Sequence, residues 1–129
     1  MEGINAAAAK DCALLTGPCG KRPAEDPIVT LSIGHNVSVI FQKNLNHFDA
    51  AKPGAFVVSI SKSAPILKFV PLLTVKDTNS TSLTLYTESV KIPENYEGDN
   101  AVLQDKYVTD NPAAPAVFYQ CADVGISKT

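Results

Sequence analysis

A chain of 129 residues with 45% hydrophobic residues is long enough to enclose one core. Its net charge of −2 comes from 11 basic and 13 acidic residues with no basic cluster, which argues against nucleic acid and against an anionic membrane surface as partners. No apolar run approaches the roughly 20 residues of a membrane span, and Met1 to Lys10 lacks the basic and apolar regions of a signal peptide. A cytosolic protein and a mature secreted domain with an added initiator Met both fit that start.

Ala6 to Leu15 is rich in helix formers and Gly17-Pro18 would stop a helix, so residues 1–16 read as a short helix or an extended arm. Thr16 to Pro23 is a turn-rich segment around Cys19. From Ile28 the pattern has period two. Ile28 to Ile33 is a first strand, and Val37, Val39 and Phe41 alternate with Ser38, Ile40 and Gln42 as a second. Lys43 to Gly54 is a polar loop ending in a Pro-Gly turn. Phe56, Val58 and Ile60 mark a third strand. Ile66 to Val75 is broken by Pro71, which suits an edge strand or a bend. Asp77 to Ser80 is a turn, Leu83 and Leu85 lie on a fifth strand, and Val90 to Ile92 stops at Pro93. Ala101 to Val108 and Val117 to Ile126 are the last two strands, joined by Asn111 to Pro115.

About eight short strands with no helical crossovers between them predict an antiparallel β-sandwich of immunoglobulin or fibronectin III type, a single domain over 1–129. There are three cysteines, and Cys121 has two partners open to it within the chain, Cys12 and Cys19. A bond from Cys19 would close a loop of about a hundred residues, worth up to ~4–5 kcal/mol in the chain-entropy model. Cys12 would then be a free thiol or a link between two molecules. No Cys-x-x-Cys pair offers a structural zinc site. Asn36-Val-Ser38 and Asn79-Ser-Thr81 match the N-glycosylation pattern in turns.

His47 and Asp49 are two apart and share a side of an extended segment, so with His35 they form a candidate metal site suited to copper or zinc. The plainer alternative makes His47 a turn residue and His35 a solvent-facing strand end. Glu94, Glu97, Asp99, Asp105 and Asp110 have no calcium-loop spacing and read as a solvated face. Neither a Gly-x-Ser-x-Gly elbow nor a phosphate-binding loop is present. Tyr86, Tyr96, Tyr107 and Tyr119 read as packing residues with hydroxyls at the rim.

Pro18-Cys19-Gly20, Leu103-Gln104 and Phe118-Tyr-Gln-Cys-Ala-Asp-Val124 together resemble the lytic-polysaccharide-monooxygenase-like proteins, and within them the copper-binding branch that contains the fungal copper-acquisition proteins. The resemblance implies a secreted immunoglobulin-like sandwich with a Cys19–Cys121 disulfide. It also implies one copper ion held by the amino group and imidazole of an amino-terminal His, by a second His and often by an Asp. Here residue 1 is Met and no His precedes His35. The family's second His falls nearest His35, with His47 the other candidate. Asp105 stands where the family has an apolar residue. The expectation is a secreted, non-enzymatic binding or extracellular matrix protein, with polysaccharide or an extracellular protein as partner. One alternative is a copper-binding protein or copper-dependent polysaccharide oxidase whose native amino-terminal His is missing. Another is a carbohydrate-binding adhesive module.

Overall fold

Turn residues cut the chain into short segments, and the computed structural model, which describes residues 5–63, 67–96 and 100–128, places seven strands among them. These are β1 (Thr30–Ser32), β2 (Asn36–Lys43), β3 (Ala55–Lys62), β4 (Val70–Lys76), β5 (Thr84–Lys91), β6 (Asn100–Val108) and β7 (Val117–Ser127). They form a five-stranded sheet in the order β1-β7-β6-β3-β4 and a two-stranded sheet of β2 and β5. The result is an immunoglobulin-like β-sandwich. The start of Ile66–Val75 and the acidic residues Glu97 and Asp99 lie outside the described residues.

Two details differ from the sequence reading, and a third choice is decided. Val90–Ile92 is not a separate strand: Val90 and Lys91 continue β5, and Ile92 is buried in the core just past its end. The sandwich is not purely antiparallel, because β1 runs parallel to β7, with Thr30 beside Gly125. About two-thirds of the chain, residues 33–116, separates those two strands, so the connection has length enough without a helical crossover. Of the two readings of the arm, helix or extended, its described residues form no α-helix: a short 3-10 turn at Lys10–Cys12 lies between irregular stretches. Its backbone groups are held from outside instead: the Ala9 amide donates to Asn44 Oδ1 at 3.1 Å, Ala6 O accepts from Asn44 Nδ2 at 2.8 Å, and Leu14 O accepts from the Tyr119 amide at 2.9 Å. Those long-range partners outweigh the weak helical propensity of a short Ala-rich segment.

Pro71 sits on β4, which pairs only with β3 and is therefore an edge, where a missing N–H costs no ladder bond. The register shifts beside it, between Val58 and Ser59. Two clusters fill the sandwich. Ile33, Ile60, Ile92, Tyr96, Ala101, Val124 and Ile126 form one. Phe41, Phe56, Val58, Val90 and Tyr107 form the other, with Phe56 and Tyr107 stacked at 4.3 Å between centroids. Each large apolar side chain among them contributes about 1.5–3 kcal/mol by its burial. Cys19 and Cys121 are bonded, S–S 2.05 Å, tying the arm to β7.

Candidate binding cleft

β2 leaves Lys43 fully buried at its carboxyl end, and a buried ammonium needs a counter-ion. Asp77, just past β4, supplies it: Nζ and Oδ1 are 2.6 Å apart and neither side chain has any exposure. The ammonium's directed hydrogen bonds go to Thr78 O at 2.6 Å, Asn46 Oδ1 at 3.2 Å and Ser80 O at 3.3 Å. The other carboxylate oxygen accepts from the Tyr107 hydroxyl at 2.6 Å. That hydroxyl in turn accepts the His47 amide at 3.2 Å, and His47 O accepts from Asn111 Nδ2 at 2.9 Å. Burial and the Asp77 carboxylate push the Tyr107 phenol far above its ordinary range.

This network fixes the polar loop after β2 and with it the His47 ring. The imidazole stacks on Phe118 of β7, centroids 5.1 Å apart and planes 16° from parallel, and lies 6.0 Å from Tyr107. Burial lowers its pKa, only partly opposed by the Asp77 charge, so it is neutral at pH 7.

The stack forms one wall of a cleft of about 250 Å3 between the arm, β2 and the β6–β7 pair. Ala8, Ala9 and Cys12 come from the arm, Gln42 and Asn44 from β2 and the loop after it, Asp105 from β6 and Gln120 from β7. A second groove shares Cys12, Gln42, Asp105 and Gln120 and runs on along Val39, Ile40 and Phe41. Asp105 faces inward, opposite Gln120 on one side and Val58 on the other. Its Oδ1 is buried and has no hydrogen-bond partner among the described residues. Burial raises its pKa to about 7. Cys12 is a half-buried free thiol, its pKa raised by burial and then by Asp11. It points into this cleft, and nothing in that placement favours a dimer linked through it.

The candidate metal ligands do not converge. His35 is exposed before β2 and His47 follows β2, so the eight-residue strand separates them by roughly 25 Å. Asp49 is committed to its own turn, its Oδ1 accepting the Ala51 amide at 2.9 Å. Among the described residues no group of three His, Cys, Asp or Glu side chains could hold a metal ion. Copper chemistry wants two or more imidazole or amine nitrogens in one plane, and the cleft offers His47 alone. The described residues therefore do not fit copper by themselves. Ala8 and Ala9 of the arm line the same cleft as His47, and His35 does not. Asn36 and Asn79 are both exposed, the latter accepting from Asn46 Nδ2 at 3.1 Å.

Reading the acidic residues as one solvated face is wrong for Asp105. The signal was available, since 105 falls on the same period-two face as Leu103 and Tyr107. The Tyr107 hydroxyl is likewise buried, not at a rim.

No family model matches the chain, and no curated protein does. Among solved structures, the chain is similar to the cellulose-active lytic polysaccharide monooxygenase CelS2, solved in complex with copper. The identity is 20%, the TM-score is 0.55, and the match covers 80% of this chain and 55% of that one. This chain thus spans just over half the length of that protein. The likeness is one of fold, and it agrees with the immunoglobulin-like β-sandwich described above.

Proposed function

We propose that this is a secreted, non-enzymatic binding domain that takes a carbohydrate chain in the cleft beside His47. The observation that carries this is the cleft's composition. A flat ring pair, His47 on Phe118, stands beside the Asp105 carboxyl, while Gln42, Asn44 and Gln120, tied to one another and to the arm, hold the cleft's shape. Aromatic faces pack against the C–H faces of a sugar, while a carboxyl takes its hydroxyls; an apolar wall with a few polar groups is the usual form of a small-ligand site. A disulfide joining segments 102 residues apart fits an oxidising compartment. Asn36 and Asn79 are exposed acceptors for glycans there.

The test is retention on insoluble chitin and cellulose in the presence of a chelator, for the protein and for Phe118→Ala and Gln120→Ala. Retention lost in both variants supports the cleft; retention unchanged in both, or none at all, overturns it. A copper-binding role is the second reading. It is favoured by the path of the arm, whose Ala8 and Ala9 line the same cleft as His47. Copper titration of the protein and of His47→Ala tests it, with tight binding lost in the variant as the supporting result.

A further inference from the structure

A carboxyl group placed where water and counter-ions are scarce must pair, take up a proton or wait for a ligand. Asp105 has no ion pair with any described residue, and its Oδ1 is buried without a hydrogen bond. The titratable groups around it offer no positive charge. His47 on the loop after β2 is neutral, Cys12 on the arm is a protonated thiol, and Tyr107 on β6 is a phenol. No Lys or Arg is among the described residues lining either groove. The carboxyl nevertheless opens on a cleft wide enough for a sugar ring.

We propose that the cleft selects a saccharide bearing a free amine, whose ammonium pairs with the Asp105 carboxylate while its ring lies against His47 and Phe118. This rests on the carbohydrate reading above and narrows it to amino sugars. Charge complementarity is the reason: an ammonium supplies both the missing counter-charge and the missing donor to Oδ1, and an N-acetyl group supplies no charge. The pairing is also proton-neutral in one of its forms. A protonated carboxyl that meets a neutral amine gives the same ion pair as a carboxylate that meets an ammonium, so neither partner needs to exchange a proton with solvent.

The experiment is calorimetric titration of the full chain at pH 7 with three hexasaccharides: of glucosamine, of N-acetylglucosamine and of glucose in β-1,4 linkage. Asp105→Asn is measured beside the parent protein, with circular dichroism confirming that it folds. The expected result is that the glucosamine oligomer binds the parent at least about tenfold tighter than the other two, a difference of 1.4 kcal/mol. Asp105→Asn should bind all three alike. Equal binding of the three by the parent, or a preference for amine that survives in Asp105→Asn, overturns the amino-sugar inference and leaves the carbohydrate reading standing. No binding of any of the three overturns both.

Discussion

Lys43 and Asp77 meet at 2.6 Å with neither side chain exposed, one at the end of β2 and the other just past β4. The pair therefore clasps the two sheets of the sandwich, and Tyr107 completes it from β6. Removing one member leaves a buried charge. Lys43→Met and Asp77→Ala should each lower the unfolding free energy by about 3–5 kcal/mol in urea denaturation. The double variant should cost less than the sum of the two, by roughly 1–3 kcal/mol. Additive costs would show that the two charges do not depend on each other.

Asp105 ties stability to pH. Its pKa in the folded chain is raised to about 7 from 3.8. Between those values the folded state holds a proton that the unfolded state has lost, so folding is favoured by acid. Stability falls as pH rises from about 4 to 7, by on the order of 3 kcal/mol from this group, and then levels off. Asp105→Asn removes the slope and is the more stable protein above pH 7. Melting curves of both proteins across pH 4 to 8 test this; parallel profiles would refute it.

The cysteines give a chemical count. A disulfide reagent should titrate one thiol in the folded protein, Cys12, and it should react more slowly than a free thiol because its pKa is raised. Cys19→Ala and Cys121→Ala should each cost about 2–5 kcal/mol. Two or more thiols in the oxidised, folded protein would contradict the assigned bond.

Gly54 is where the loop before β3 crosses β6. A Cβ there would overlap Val108 O and lie 2.7 Å from Thr109 backbone atoms. Gly54 O also accepts the Asp77 amide at 2.9 Å. Backbone cannot yield as a side-chain tip can, so Gly54→Ala should cost about 2–4 kcal/mol and disturb Asp77 with it. A thermal midpoint unchanged from the parent would refute the close approach.

Period-two alternation made most of the strands legible, because Phe56, Val58 and Ile60 or Leu103 and Tyr107 must share a face in any sandwich. Pro71 at an edge followed from its missing N–H. The Cys19–Cys121 bond was implied by family resemblance around Tyr119-Gln-Cys-Ala-Asp123 and is present. What stayed hidden depends on pairing between distant segments. Lys43 and Asp77 are 34 positions apart, and each looks like a turn residue until β2 and β4 are brought together. The path of the arm was equally hidden, since it is set by Asn44 and Tyr119, not by the propensity of its alanines.

The parallel pairing of β1 with β7 also bears on how the chain is made. During synthesis the first strand waits for the last, and the partner of Cys19 leaves the ribosome 102 residues later. Cys12 emerges well before Cys121 and is the one other thiol within reach of Cys19 in that interval. Until then Cys12 and Cys19 are the two thiols open to an oxidant. Cys12→Ser removes that competing pair, and faster oxidative folding of this variant than of the parent is the expected outcome.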